Sequence, residues 1–383
     1  MNFEFATATQ IIFGPGTFKQ VGSLASEMGR KALVVASSTE RANPLLAALT
    51  AHGVETTLFA NAGEPTIELV QQGTQQARVE KADMVIGFGG GSAMDTAKAV
   101  AILLTNPGEP LDYLEVIGRG QVLSQPGVPC IAIPTTAGTG SEVTRNAVLG
   151  APEHRVKVSL RSPHMLPRLA IVDPELTYSL PPALTASTGL DALTQNLEPF
   201  VSNKANPLTD ALTREGMRRA ARSLRRAYEQ GGDSAAREDM ALASLFGGLA
   251  LANAKLGVVH GFAGVLGGMF PAPHGAVCAV LLPPVMAVNA QALQERQPDG
   301  EFLRRYDEVA QILTGSPKAT AGDGVAWVEE LGRTLRVPGL GTYGLTSADF
   351  PAVIEKTAVA SSTQGNPIKL TSAELQEVLN RAL

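Results

Sequence analysis

Cysteine and charge are both scarce in this chain. Only two of its 383 residues are cysteines, Cys130 and Cys278, and both lie in apolar segments. We therefore expect core thiols of a reducing compartment rather than a disulfide framework. Charged residues make up only 17% of the chain, and its net charge is −5. With no cluster of Lys and Arg among aromatics, this composition argues against nucleic acid as a partner.

A secretion signal is also missing, because the N-terminal MNFEFATATQ has no basic segment followed by an apolar one. We therefore predict a cytoplasmic protein. Residues 240–270 are long and nearly uncharged, but Asn253, Lys255 and His260 interrupt them. This run predicts a buried helix pair in a soluble protein and not a membrane span. We find no internal repeat and no low-complexity segment.

The N-terminal half alternates short apolar runs with amphipathic stretches. The runs at 31–36 and 84–88 are typical of buried parallel strands, and helical patterns follow at 42–52 and 66–79. Such β-α-β alternation predicts a parallel sheet with helices on both faces. After Pro181 and Pro182 the pattern is helical throughout, and helices are predicted at about 207–228, 235–254, 257–269, 277–291, 302–312 and 322–334, with a last one that opens at the capping residue Thr371. With a hydrophobic fraction of 44% and this length, we predict two domains, 1–180 and 181–383.

A glycine triplet follows the strand that is predicted at 84–88. Gly89, Gly90 and Gly91 precede Ser92 and a helical pattern, so backbone N–H groups at a helix N-terminus can approach an anion. A diphosphate is the natural ligand, and the alternative is a tight turn capped by Ser92. A second strand, 130–133, ends in PTTAGTGSE. Two such loops at the carboxyl edge of one sheet favour a nucleotide site.

Two of the five histidines lie in HGFAGVLGGMFPAPHG, residues 260–275. The pattern predicts His260 within a buried helix and His274 on the turn after it, because Pro271 and Pro273 end that helix. Two imidazoles there indicate a metal site if a third ligand joins them, and Asp191 is the candidate. The alternatives are satisfied core histidines and a solvated helix carboxylate.

The motifs GGGSAMDTAK, PTTAGTGSEVT, DPELT, TASTGLDALT and HGFAGVLGGMFPAPHG together resemble the iron-containing (group III) alcohol dehydrogenases in order and spacing. The resemblance covers nearly the whole chain. It implies an α/β N-terminal dinucleotide-binding domain with a Rossmann-like parallel sheet, plus an all-α C-terminal domain, in a dehydroquinate synthase-like architecture. It also implies NAD or NADP, a divalent metal in the cleft between the domains, a homodimer, and hydride transfer to or from a small alcohol, aldehyde or ketone.

The resemblance assigns roles to particular positions of this sequence. It implies Asp191, His260 and His274 as catalytic metal ligands, with Gln195 at the position of a fourth. The metal is Fe²⁺ by family, with Zn²⁺ as the alternative. The positions implied for the coenzyme are Ser37, Gly89, Gly90, Gly91, Ser92, Thr135, Thr136, Thr139, Asn146 and Lys157.

Three positions depart from the family pattern. The family usually has histidines where this chain has Gln195 and Gly264, and an amide oxygen is a weaker donor to a transition metal than imidazole. The remaining ligands resemble the zinc site of glycerol dehydrogenases. Ser37 stands where many relatives carry an aspartate for the ribose, so nothing there repels the 2′-phosphate of NADP. The alternatives to an alcohol dehydrogenase are a maleylacetate-type or glycerol-dehydrogenase-like oxidoreductase and a metal-free, non-catalytic nucleotide-binding relative.

Overall fold

The computed structural model describes residues 2–61 and 63–383. Within that part the chain forms two compact units, one of residues 6–136 and 140–177, the other of 2–5, 137–139 and 178–383. The domain limits given above, 1–180 and 181–383, stay a prediction. We call the first the sheet unit and the second the helical unit.

The sheet unit contains six parallel strands in the order β1-β8-β5-β4-β2-β3. Every neighbouring pair is parallel, as the β-α-β alternation predicts. Alternate residues of β2 enter different apolar clusters, Val34 one and Leu33 and Val35 the other, so both faces of the sheet are covered. The strands are β1 Gln10–Phe13, β2 Lys31–Ala36, β3 Glu55–Ala60, β4 Met84–Gly89, β5 Cys130–Pro134 and β8 Leu169–Val172.

The helices of the sheet unit begin where the sequence supplies caps. Ser38 accepts a hydrogen bond from the Arg41 amide, and Thr66 accepts one from the Leu69 amide, each satisfying an amide that has no partner within its helix. The predicted helices are confirmed, although the one predicted at 42–52 begins earlier. The helices are α1 Val21–Ser26, α2 Thr39–Ala51, α3 Ile67–Val79, α4 Gly91–Leu103 and α5 Pro110–Tyr113.

An antiparallel hairpin after β5 was absent from the sequence prediction. Its strands are β6, Asn146–Ala151, and β7, Val156–Arg161. Its position is fixed by the partly buried Asp95 and the buried Lys98 of α4. Asp95 Oδ2 accepts a hydrogen bond from the Val148 amide of β6 at 2.9 Å. Lys98 Nζ donates to Ser141 Oγ and Thr144 Oγ1, just before the hairpin, at 2.7 and 2.9 Å. These contacts join distant segments, so no local pattern reveals them.

The helical unit has a single large apolar core. The predicted helices in it are confirmed, but α13 was missed, and α10 begins at His274 rather than at the predicted residue 277. The helices are α6 Pro182–Val201, α7 Pro207–Glu229, α8 Ser234–Asn253, α9 Val258–Met269, α10 His274–Arg296, α11 Glu301–Thr314, α12 Ala321–Thr334, α13 Phe350–Val359 and α14 Ser372–Ala382.

The apolar run at 240–270 forms two helices, as predicted. Helices α8 and α9 meet at a bend of 95°, and both contribute to the core. Among the described residues α10 is the one unbroken helix long and apolar enough to cross a membrane, but 78% of its apolar window is buried inside the protein. A core helix has this character, because its apolar side chains pack against other helices.

Candidate active site

The glycine triplet joins the end of β4 to the start of α4. Gly89 has a φ of +157°, and a Cβ on it would lie 2.9 Å from the Ala93 Cβ, so a side chain there is excluded by packing. Gly90 is the N-cap of α4 with a φ of −80°. A Cβ on Gly90 would meet only Thr136, at 3.5 Å. Packing therefore does not require glycine at position 90, and yet the backbone there is not covered by a side chain.

The first turn of α4 suits an anion. It contains no acidic residue, and the first amides of a helix have no partner within the helix. The partial positive charge of the helix N-terminus adds to their attraction for a phosphate. The bare backbone at Gly90 lies at this same turn. The loop therefore has the geometry that the sequence motif indicates for a diphosphate.

Ser92 is fixed by the loop that follows β3. Its hydroxyl donates to the Gly63 carbonyl and accepts from Asn61 Nδ2 at 3.2 Å. Asn61 is buried and also donates to Thr96 Oγ1 at 2.7 Å, while its own Oδ1 has no hydrogen-bond partner among the described residues. Sequence reasoning missed Asn61, although its place directly after a parallel strand is a signal for a ligand-binding edge.

The other residues implied for the coenzyme fall into four places, of which the hairpin is the last. Thr135 and Thr136 follow β5, beside the glycine triplet, and the Thr135 amide donates to the Gly89 carbonyl at 2.8 Å. Thr139 is instead grouped with the helical unit. Ser37 is exposed at the carboxyl end of β2, the same edge of the sheet as the glycine triplet.

Asn146 and Lys157 lie on the hairpin. Asn146 is the first residue of β6, and Lys157 is on β7. The Lys157 ammonium lies 2.9 Å from Glu64 Oε2, although its own side chain is only 8% exposed. This ion pair ties the hairpin to the segment before α3. The structure therefore gives Lys157 a partner within the sheet unit.

The helical unit brings Asp191, His260 and His274 together and adds Cys278. One donor atom from each of the four lies within 4.8 Å of the other three. Asp191 Oδ1 is 3.4 Å from His260 Nε2 and 3.7 Å from His274 Nε2. It accepts no well-aligned hydrogen bond among the described residues. A buried carboxylate oxygen facing two imidazole nitrogens without such a bond is a ready ligand for a cation.

Three helices supply these side chains. Asp191 is on α6 and His260 in the first turn of α9, while His274 is the first residue of α10 and not part of a turn, which corrects the prediction. The close approach of α10 to α6 depends on Gly275, because a Cβ there would lie 2.6 Å from the Ser187 carbonyl oxygen. Only glycine allows this contact, which sets His274 beside Asp191.

Glu198 holds the ring of His260. Its Oε2 accepts from His260 Nδ1 at 2.7 Å, and its Oε1 accepts from the Val259 amide at 2.7 Å. With the proton on Nδ1, the Nε2 lone pair of the neutral imidazole faces Asp191. A carboxylate behind a metal-binding histidine fixes both tautomer and ring orientation. Sequence reasoning missed Glu198, whose spacing of seven residues from Asp191 on one helix was the available signal.

The charges of this cluster stabilise one another. Burial raises the pKa of Asp191, but the attraction of His274 and His260 outweighs it and leaves that pKa below 3.8. Burial lowers the pKa of both histidines, yet the attraction of Cys278 and Asp191 holds each above its ordinary 6.5. The cluster thus favours positive charge at its centre, which protons or a metal ion can supply.

Two of the three departures from the family pattern, Gln195 and Gly264, lie on the helices that supply Asp191 and His260. Gln195 is buried on α6, one turn after Asp191, and its Oε1 has no hydrogen-bond partner among the described residues. Gly264 is on α9, one turn after His260, and a Cβ there would meet open space. Packing around the Cβ therefore does not require glycine at position 264.

Comparison with known proteins finds one family over both halves of the chain. A profile described as iron-containing alcohol dehydrogenase matches residues 8–174, and the C-terminal profile of the same family matches 185–383. The 1,3-propanediol dehydrogenase of Klebsiella pneumoniae is 35% identical over 99% of this chain and 98% of its own. A crystal structure of 1,3-propanediol oxidoreductase covers both chains fully with a TM-score of 0.92 and 33% identity. The NAD⁺ complex of sulfoacetaldehyde reductase from Bifidobacterium kashiwanohense covers 100% and 99%, with a TM-score of 0.87 and 28% identity.

Proposed function

The chain belongs to the iron-containing alcohol dehydrogenase family and is an oxidoreductase that acts on CH–OH groups, and from this premise we propose how its residues carry the reaction. Asp191, His260 and His274 hold a divalent metal, and the loops after β4 and β5 hold NAD or NADP. The reaction interconverts a small alcohol and its aldehyde or ketone by hydride transfer. The convergence of Asp191 Oδ1 with the two Nε2 atoms carries this proposal.

The residues at this centre fit a divalent metal. A carboxylate and two imidazoles are ligands that both Fe²⁺ and Zn²⁺ accept, and the buried Asp191 Oδ1 has no well-aligned donor among the described residues. When bound, the metal would act as a Lewis acid toward the substrate oxygen. Glu198 accepts the Nδ1 proton of His260, so Nε2 is the ring nitrogen that faces the centre. This donor set argues against a metal-free, non-catalytic relative.

The coenzyme loops bind through their backbone. The bare Gly90 and the first amides of α4, that of Ser92 included, receive the pyrophosphate, while Thr135 and Thr136 offer hydroxyls beside it. Asn146, Lys157 and Thr139 complete the coenzyme contacts that the family pattern implies. Ser37 lies exposed at the end of β2 and receives the ribose. Because position 37 carries no carboxylate, we expect the site to accept NADP in addition to NAD.

The setting of this reaction follows from the whole chain. We propose a cytoplasmic homodimer that acts on small molecules and not on membranes or nucleic acids. The net charge of −5 and the mostly buried apolar helix α10 support the latter part.

A screen of small substrates with added metal tests the function. Metal-stripped protein is assayed by coenzyme absorbance with 1,3-propanediol, ethanol, glycerol, sulfoacetaldehyde and maleylacetate, each with Fe²⁺, Zn²⁺ or chelator. We expect turnover of a small alcohol that chelator abolishes and metal restores. Turnover that chelator leaves unchanged would refute the metal centre, and a preference for glycerol or maleylacetate would replace the proposed substrate class.

The coenzyme choice has its own test at Ser37. Ser37→Asp adds a carboxylate where we place the ribose, so we expect the ratio of NADP to NAD kcat/KM to fall by about tenfold. That is about 1.4 kcal/mol of like-charge repulsion, at the low end of its range because the position is exposed. Glu40→Gln, on the exposed start of α2, is the control. An unchanged ratio in Ser37→Asp would mean that the ribose binds elsewhere.

A further inference from the structure

Cys278 belongs to the donor cluster although no sequence pattern assigns it there. Its Sγ lies 3.7 Å from His274 Nε2 and 3.9 Å from His260 Nε2. It is fully buried, and it stands one turn after His274 on α10. Because α10 begins at His274, residues 274 and 278 share one face of that helix. The thiol therefore faces the same point as the two imidazoles.

The four donors have the spacing of a tetrahedral site. The four distances that join a histidine Nε2 to Asp191 Oδ1 or to Cys278 Sγ are 3.4, 3.7, 3.7 and 3.9 Å. Metal bonds of about 2.0–2.1 Å to nitrogen or oxygen and about 2.3 Å to sulfur give tetrahedral edges of about 3.3–3.6 Å. The longest distances involve sulfur or the partly exposed His274. Small side-chain shifts would bring all four donors onto one ion.

We propose that the Cys278 thiolate is the fourth protein ligand of the metal centre, and that zinc is the resident metal. This inference rests on the proposed metal centre at Asp191, His260 and His274. A donor set of one sulfur, two nitrogens and one oxygen in a tetrahedron favours zinc. On metal binding the sulfur–metal bond forms, and the thiol proton passes to solvent.

Gln195 is the competing fourth ligand. Its amide oxygen is neutral and hard, whereas a thiolate is charged and soft, so a thiophilic ion selects Cys278. Its Cβ also lies against α8, where a Cβ on Gly247 would be 3.0 Å away. The two candidates predict different spectra.

Four protein ligands still leave access for a substrate. The His274 side chain is 33% exposed, whereas those of Asp191 and His260 are 2% and 6% exposed. Solvent thus reaches the cluster from the side of His274. Some catalytic zinc sites expand to five ligands during the reaction, and in this centre the fifth position would open on that side.

Cobalt substitution tests the sulfur ligand without any assay of activity. Metal-stripped protein is reloaded with Co²⁺, and we expect a thiolate-to-cobalt charge-transfer band in the near ultraviolet. The band should persist in Cys130→Ser and vanish in Cys278→Ser. Cys130 is the matched control, because it is the other cysteine of the chain, is equally buried and lies on β5.

X-ray absorption of the unmodified zinc protein provides a second measurement that needs no variant. We expect one sulfur at about 2.3 Å beside nitrogen and oxygen at about 2.0–2.1 Å. Stoichiometric metal with only nitrogen and oxygen neighbours, or a cobalt band that survives Cys278→Ser, would overturn sulfur ligation and leave the metal centre standing. Failure to bind either ion would refute the centre itself. Purification with stoichiometric iron and no zinc would overturn the metal assignment.

Discussion

The glycine loop of the sheet unit and the donor cluster of the helical unit are built from different parts of the chain. The loop offers backbone amides and a surface kept bare at Gly90, all within a few consecutive residues. The cluster gathers side chains from α6, α9 and α10, nearly ninety residues apart at the extremes. Local sequence determines the first, whereas helix packing determines the second. Substitutions should therefore affect the two sites by different routes.

The two units also treat a buried carboxyl group differently. Asp191 is surrounded by imidazoles, so its pKa is lowered despite burial. Glu142, just after the second loop of the sheet unit, lacks such neighbours, and burial raises its pKa to about 7 although Lys98 lowers it in part. Asp191 is therefore ionised and able to hold a cation, whereas Glu142 is about half protonated at pH 7.

The largest effect should come from removing His274. His274→Ala leaves fewer ligands around an ion, so we expect metal loss on dialysis against chelator and turnover below about a hundredth of the parent, more than the 10–100-fold typical of residues behind a ligand. Metal content and kcat are the measurements, and His154→Ala, an exposed histidine, is the control. Full metal retention in His274→Ala would place the centre elsewhere.

The second-largest effect should come from a side chain added to the glycine loop at Gly90. Gly90→Val puts a branched side chain where the pyrophosphate approaches, so we expect the coenzyme Kd to rise by about 100-fold, or about 2.7 kcal/mol. Gly90→Ala should be milder. Because a Cβ there meets only Thr136 at 3.5 Å, the fold should persist, which thermal unfolding can check. Gly332→Ala, with open space around its Cβ, is the control, and an unchanged Kd in Gly90→Val would refute the phosphate site.

The contrast between the sites explains what the sequence could predict. Strand-to-helix order revealed the parallel sheet, its carboxyl edge and both loops, because these depend on periodicity and glycine. Asp191, His260 and His274 were candidate ligands because of their residue types. Local sequence could not show that they lie together, because this depends on the packing of three helices. Cys278 was expected as an ordinary core thiol. It was missed because α10 was predicted to begin at 277, which removed its one-turn relation to His274.

The next effect concerns Glu198, because Glu198→Gln keeps the size of the side chain and changes only its hydrogen bonding to His260. In Glu198→Gln, an amide oxygen kept on the Val259 N–H turns its NH₂ toward His260 Nδ1, which favours a proton on Nε2. We expect metal affinity to fall 10–100-fold, as for other residues behind a ligand. Competition with a chelator measures this affinity. Glu377→Gln on α14, half exposed, should match the parent, and equal affinity in Glu198→Gln would show that the carboxylate does not orient the ring.

Glu142 should give the smallest effect on turnover and on metal binding, because its substitution changes stability alone. Its pKa is about 7 in the folded protein against an ordinary value of 4.5, so the folded state binds the proton more tightly. The protein therefore loses stability as pH rises from about 4.5 to 7, and the loss is complete above that range. Glu142→Gln mimics the protonated form. We expect it to equal the parent at pH 4.5 and exceed it at pH 8 by about 2–3 kcal/mol in free energy of unfolding. Urea unfolding without coenzyme at both pH values measures this, with the exposed Glu153→Gln as control. A difference between Glu142→Gln and the parent that is the same at both pH values would show that Glu142 is ionised in the folded protein, as Asp191 is, and would remove this contrast between the two units.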